Sequence, residues 1–251
     1  LPIPGSPGND PRHSYDHNTV DPETGEHYYT HYNSLGLWRL NSSGTTWTTL
    51  ASRTGSTQCC RAQAWFPELS GGRLIHGDGD WGGRAYNPDT DTWTQLWMGN
   101  GSDGSGLPQF TGDGYSTFAH HSTRCACVIF GGGSGFYKLN SDGSFTTLST
   151  TGAPPSGFRH VGPSGMSIVA DPVSGIFVVI SDGDYYEFDP GTTNASTGTW
   201  SQPAVSIPAF FDDNSGDTSE SLISAPISDY DVIMYVKHND SDEAQVWLYK
   251  R

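Results

Sequence analysis

Arginine followed by histidine occurs at Arg12-His13 and again at Arg159-His160, each time after a Pro/Gly-rich stretch, and Cys60-Arg61 holds a comparable place before a strand-like segment. Three arginines at matching positions can make a cationic rim for an anionic group such as a uronate or sulfate, because guanidinium offers planar, bidentate hydrogen bonding. Pairing of Arg12, Arg61 and Arg159 with backbone carbonyls or neighbouring aspartates is the alternative. Trp65, Trp81 and Tyr185 are the aromatic candidates for ligand contact, and Trp38, Trp97, Tyr186 and Trp247 also lie in or beside turns. Exposed rings stack on sugars, and inter-strand packing is their other use.

Acid–base chemistry, if the chain is an enzyme, falls to His13, Tyr15, His17, His120, Arg159 and His160, with Asp16, Tyr115 and His121 nearby. No H-E-x-x-H helix is expected, and strand alternation lets only one of His120 and His121 point to a given side. His13 and His160 hold equivalent places, which favours a structural role. Calcium is the one cofactor with a sequence signal. Gly77-Asp78-Gly79-Asp80 and Ser181-Asp182-Gly183-Asp184 place alternate carboxylates (Asp78, Asp80, Asp182, Asp184) on Gly-containing loops. Neither loop supplies a full ligand set, and a hairpin turn needing positive φ is the other reading.

The cysteines are Cys59, Cys60, Cys125 and Cys127. An even count fits two disulfides in an oxidising compartment, with three possible pairings. Cys125 and Cys127 share a strand face, so a bond between them is not expected, and pairing across the two cysteine clusters is favoured. Sequons at Asn41, Asn100, Asn194 and Asn239 all fall in expected turns, where a glycan fits and where Asn and Ser are common anyway.

The elements that must position these groups come from a repeat. Arg73–Asp80 reads as a strand ending in a Gly/Asp turn, then Gly82-Gly83, a strand through Tyr86, the turn Asn87–Asp91, and a strand carrying Trp93. The same order recurs at blades of about 13–50, 60–97, 115–149, 161–202 and 219–251. Trp47, Trp93, Phe145 and Trp200 occupy one position in the fourth strand, and Leu40, Tyr86, Leu139 and Phe188 occupy one before the third turn. Four strands per unit at this period predict a single β-propeller domain over 1–251. The fifth unit stops after three strands. It is completed by the N-terminal residues 1–4, by a partner, or not at all, which leaves an edge at Ala244–Tyr249 for self-association.

The glycine pair, Tyr86 and Trp93 at their spacing resemble a kelch repeat, and the chain as a whole is similar to kelch-type propellers of the galactose-oxidase-like class. That resemblance implies an all-β propeller. A copper radical site of that class needs two Tyr, two His and a Tyr–Cys crosslink, and no local motif here anchors such a set.

Composition agrees with a turn-rich β domain. Gly and Pro number 32 and 16 of 251 residues, and aromatics are 12%, too many for a disordered chain. The net charge of −15 argues against nucleic acid, and no apolar run is long enough to span a membrane. The start at Leu1 is consistent with a removed signal peptide. These features point to a secreted, non-enzymatic binding propeller for a glycan or protein. A polysaccharide lyase or hydrolase, and a structural subunit of an extracellular or viral assembly, are the alternatives.

Overall fold

The computed structural model describes residues 18–31, 34–54, 62–70, 73–77, 82–97, 117–118, 121–132, 135–155, 167–181, 183–205, 207–208, 211, 222–238 and 244–251. The chain is all-β, with five small, mainly antiparallel sheets of three to five strands forming the blades of a propeller. Ser228–Tyr230 form a 3-10 turn, and among the described residues there is no α-helix. Two compact units are distinguished, Leu1–Phe118 and Ala119–Arg251.

In the first unit, blade one is β1 (Asn18–Val20), β2 (His27–Tyr29), β3 (Leu37–Leu40) and β4 (Trp47–Leu50), paired in chain order. Blade two is β5 (Ala62–Trp65), β6 (Leu74–Gly77), β7 (Gly83–Asn87) and β8 (Thr92–Trp97), again in order. The unit ends with β9 (Thr117–Phe118). Tyr28, Leu37, Trp65, Leu74 and Tyr86 form its buried cluster, with Tyr28 stacked on Trp65 at 5.3 Å between ring centres.

The second unit holds β10 (Cys127–Gly132), β11 (Gly135–Asn140) and β12 (Phe145–Thr147), then β13 (Ser149–Thr151) to β17. Blade four runs β13-β17-β16-β15-β14, from β14 (Ser167–Ala170), β15 (Phe177–Ser181), β16 (Asp184–Asp189) and β17 (Thr197–Ser201). β13 joins it in parallel, so Ser149–Thr151, at the end of the unit read from sequence as 115–149, adds a fifth strand to the following blade. Blade five has three strands, β18 (Leu222–Ile227), β19 (Val232–His238) and β20 (Ala244–Tyr249).

Two turns show how local chemistry sets the hairpins. Asp21-Pro-Glu-Thr-Gly25 and Asp171-Pro-Val-Ser-Gly175 join the first two strands of blades one and four. Each Asp is buried, and its carboxylate accepts bonds from within its turn: Glu23 N–H and Thr24 Oγ1 on Asp21, Ser174 N–H and Oγ on Asp171. Proline fixes φ after the Asp, and Gly25 and Gly175 close the turns at φ +71° and +68°, a region costly for residues with a Cβ.

The ring positions align as the repeat requires. Leu40 faces Trp47, Tyr86 faces Trp93, Leu139 faces Phe145, and Phe188 faces Trp200 as direct cross-strand partners. Directly opposed pairs on one sheet face are the unit of sheet stabilisation. The tightest, Phe188 with Trp200, has ring centres 4.7 Å apart and sits in a core with Cys125, Cys127, Ile129 and Phe177.

The cysteine expectation is corrected. Cys125 is joined to Cys127, with Cα atoms 5.1 Å apart. Strand alternation does not govern this pair, because Cys125 is not on a strand. It lies in the turn after Ser122, Ala126 takes φ +43°, and β10 begins only at Cys127. A residue in left-handed conformation reverses the direction of its neighbour, so i and i+2 no longer run parallel. Cys59 and Cys60 lie outside the described residues.

Candidate functional site

Most residues singled out from sequence lie outside the described residues: Arg12, His13, Tyr15, Asp16, His17, Arg61, Asp78, Asp80, Trp81, Asn100, Tyr115, His120, Arg159, His160, Asp182 and Asn239. Those that are described are placed as follows. Trp65 and Tyr185 were expected to meet a ligand, but their rings are buried. Trp65 packs on Tyr28, and the Tyr185 hydroxyl donates to Glu187 Oε1 at 2.9 Å and lies 3.0 Å from the Tyr249 hydroxyl. Burial and those partners push the Tyr185 phenol far above its ordinary value, so it is held neutral. Asp184 is exposed at the start of β16, opposite Ser181. The Asn41 side chain closes its own turn, accepting from Thr45 and Thr46 N–H, whereas Asn194 is exposed.

The structure brings together a set that sequence reading did not select. Gln63 on β5 stands opposite His76 on β6, His76 opposite Arg84 on β7, and Arg84 opposite Gln95 on β8. Residues directly opposed in an antiparallel sheet project to the same side, so these four form one polar row across the whole of blade two. Two residues along each strand, the same face carries Trp65, Leu74, Tyr86 and Trp93, which are packed as core. The face is therefore apolar in one row and polar in the next.

The polar row is largely dry. Gln63 and Arg84 are each 6% exposed and His76 is fully buried, while Gln95 at the outer strand is exposed. Gln63 Nε2 donates to Thr30 Oγ1 of blade one at 2.9 Å and lies 3.1 Å from His76 Nδ1. An amide nitrogen can only donate, so Nδ1 acts as the acceptor and the imidazole proton sits on Nε2. The ring edge meets Trp93 at 6.2 Å. The Gln63 carbonyl oxygen is buried, with no hydrogen-bond donor among the described residues. Gln95 Nε2 donates to Gly83 O at 3.0 Å.

Such a row offers amide, imidazole and guanidinium groups in fixed order, backed by aromatic rings. Gln95 is the member of the row that faces solvent and can meet an oxygen-rich group, while Gln63, His76 and Arg84 are buried behind it and order that face. Its ends adjoin the sequence candidates: Arg61 immediately precedes β5, and Asp78, Asp80 and Trp81 fall between β6 and β7. The signal that would have found the row was a polar residue two positions from an aromatic or Leu in each of four consecutive strands: Gln63/Trp65, Leu74/His76, Arg84/Tyr86 and Trp93/Gln95. Among the described residues no cluster of His, Cys, Asp and Glu has the makings of a metal site.

No protein-family model matches the sequence, and neither does any curated protein. Solved structures do match in fold. A fungal alcohol oxidase of the AA5 family in complex with copper is 15% identical, with a TM-score of 0.53, covering 90% of this chain and 49% of that one. An auxiliary nutrient binding protein from Bacteroides ovatus is 12% identical, TM-score 0.52, covering 94% and 56%. Regucalcin, a calcium-binding protein from Agrobacterium tumefaciens, is 14% identical, TM-score 0.50, covering 94% and 73%. The chain thus spans about half the length of the first two, and the shared feature is the β-propeller fold.

Proposed function

We propose that this chain is a binding propeller of kelch type that acts outside the cell and recognises an oxygen-rich ligand, a glycan bearing acidic or hydroxyl groups, at blade two. The polar row of Gln63, His76, Arg84 and Gln95 carries this reading. The row reaches solvent at Gln95, and the buried Gln63, His76 and Arg84 behind it hold that end of the sheet in one fixed arrangement. Arg61, Trp81, Asp78 and Asp80, which adjoin the row in sequence, are the further contacts of this reading, with Arg12 as an additional cationic candidate. Calcium at the Asp78/Asp80 loop is an optional part of it. An extracellular setting is supported by the exposed Asn194 sequon and by the Cys125–Cys127 pair, since disulfides persist under oxidising conditions. Nucleic acid is disfavoured by the net charge of −15, and no described helix is long and apolar enough to cross a membrane.

The test is a glycan array followed by calorimetry on the retained oligosaccharides. Retention of uronate- or sulfate-bearing glycans, weakened about tenfold or more by Arg84→Lys, is the expected result. An array with no retained glycan overturns the reading. Turnover of an acidic polysaccharide, lost on replacing His13, His160 or Arg159, would replace it with the lyase or hydrolase alternative.

A further inference from the structure

Cys125 and Cys127 carry the one redox-active bond in the described structure, and they sit where two sheets meet. Both are fully buried, in a core with Ile129 of β10, Ile168 and Ala170 of β14, Phe177 of β15, Phe188 of β16 and Trp200 of β17. Their bond spans a single residue. A loop that short removes little freedom from the unfolded chain, because the entropic gain of a crosslink grows with the length of the loop it closes. Its effect on the folded chain is local. It fastens the turn in which Ala126 takes φ +43°, a region that disfavours a residue with a Cβ.

The turn that carries the bond rests on blade four. Ser122 and Cys127 close it by exchanging both backbone hydrogen bonds, Ser122 N–H to Cys127 O at 3.0 Å and Cys127 N–H to Ser122 O at 3.4 Å. From within it Ser122 Oγ donates to Gly175 O, and the Arg124 guanidinium pairs with Asp189 Oδ2 at 2.9 Å. The approach is close enough that a Cβ on Gly175 would collide with the backbone N and Cβ of Arg124. Gly175 closes the Asp171–Gly175 turn and Asp189 ends β16, so one disulfide-closed turn bears on two points of the neighbouring blade. The reduced pair has acceptors as well: Cys125 Sγ lies 3.8 Å from Ser122 O and 3.9 Å from Cys127 O, within reach of a thiol S–H.

We propose that Cys125–Cys127 is a thiol–disulfide switch. Oxidised, it holds the 122–127 turn against Gly175 and Asp189; reduced, it lets Ala126 return to negative φ and the turn lift from blade four. The chemistry is exchange with a small dithiol. One thiolate of the dithiol attacks a protein sulfur and breaks the Cys125–Cys127 bond, giving a mixed disulfide. Its second thiolate then displaces that sulfur, and the reagent leaves as a cyclic disulfide. Two electrons and two protons pass to the cysteines, which end as thiols. Because both sulfurs are buried, attack follows opening of the turn. The switch does not depend on the glycan reading, since it joins β10 to blade four and the polar row belongs to blade two.

The test is hydrogen exchange on the full chain before and after dithiothreitol, with every disulfide mapped by peptide after alkylation in denaturant. Cys125 and Cys127 should be joined to each other before reduction and alkylated after it. Amides of 122–127 and 171–176 should then exchange about tenfold faster, the ratio by which a Cβ disfavours the left-handed region, while β15 and β16 stay protected. Ala126→Gly removes that preference, so its reduced form should keep the turn and show little of the acceleration. Cys125→Ala combined with Cys127→Ala should exchange at the reduced rate with or without dithiothreitol. Four results overturn the proposal: a Cys125 or Cys127 that is free or paired elsewhere before reduction; a bond that resists dithiothreitol in the folded protein; exchange that on reduction is unchanged, or accelerated throughout the chain; and an Ala126→Gly variant that responds as the parent does.

Discussion

Asp91 and Trp93 hold both backbone polar groups of Ala51. The Asp91 carboxylate oxygen Oδ1 accepts from Ala51 N–H at 2.7 Å, and Trp93 Nε1–H donates to Ala51 O at 2.8 Å. Ala51 follows the last strand of blade one, and Asp91 and Trp93 belong to blade two, so two side chains pin one blade to the next. Asp91 also accepts from the Tyr86 hydroxyl at 2.8 Å, and it takes φ +51° at a turn position filled elsewhere by glycine. Replacing Asp91 with Ala removes both acceptor contacts and should cost about 1–2 kcal/mol; Trp93→Phe keeps the ring and should cost about 1 kcal/mol. Because both act on Ala51, the double variant should deviate from additivity by more than about 0.5 kcal/mol in denaturant unfolding. Strict additivity would show that the two contacts do not form one latch.

Gly198 lies under the Phe188 ring on the neighbouring strand. A Cβ built there would collide with the Phe188 ring, which is packed against Phe177 and Trp200. Gly198→Ala should destabilise the protein by about 1–3 kcal/mol, the usual cost of overpacking, read as a lower Tm. An unchanged Tm would mean that this core is looser than its burial implies.

Lys138 is a fully buried lysine whose ammonium donates to the carbonyls of Thr192, Thr193 and Ala195 at 3.2, 2.8 and 2.6 Å. It reaches from β11 to the turn before β17 and caps three backbone acceptors, while burial lowers its pKa. Lys138→Met preserves the stem but strands those carbonyls, and should cost about 2–3 kcal/mol. Faster hydrogen exchange in residues 191–196 should accompany the loss; unaltered exchange there would rule out the clamp.

His27 is partly buried against Trp47, and burial lowers its pKa below the ordinary 6.5. In the unfolded chain it takes up a proton near 6.5, in the folded chain only at lower pH. The unfolded state therefore binds more protons in that window, and the stability present above pH 6.5 is lost as pH falls toward the folded value. His27→Gln should flatten the decline of Tm between about pH 7 and about pH 5. A variant as acid-sensitive as the parent would assign the decline to other groups.

Gln95 is the solvent end of the polar row, and its amide donates to Gly83 O. Gln95→Ala should change Tm by less than about 0.5 kcal/mol equivalent, as surface substitutions do. It should nonetheless weaken any glycan retained at blade two several-fold by calorimetry. Unchanged affinity would place the ligand elsewhere.

The repeat was legible because its determinants are local. Proline after Asp, glycine at positive φ and one ring per fourth strand recur at set spacing, and the structure adds that the two equivalent positions are direct cross-strand partners, Leu40/Trp47, Tyr86/Trp93, Leu139/Phe145 and Phe188/Trp200. Counting strands also gave three for the last unit, and three are paired there among the described residues. The polar row was not legible. A glutamine or arginine in a strand is ordinarily assigned to the solvent face, and only the register shows Gln63, His76 and Arg84 on the packed one.

Sequence by itself therefore determined where the chain turns and which residues alternate, since φ preferences and side-chain hydrogen bonds act over a few residues. Tertiary structure alone decided which faces are covered. Trp65 and Tyr185 became core because neighbouring sheets lie against them, Cys125 met Cys127 because Ala126 turns the backbone between them, and Val246 stayed in solvent because no described strand lies beyond β20. Burial is set by what packs against a residue from distant sequence, and no window along the chain contains that partner.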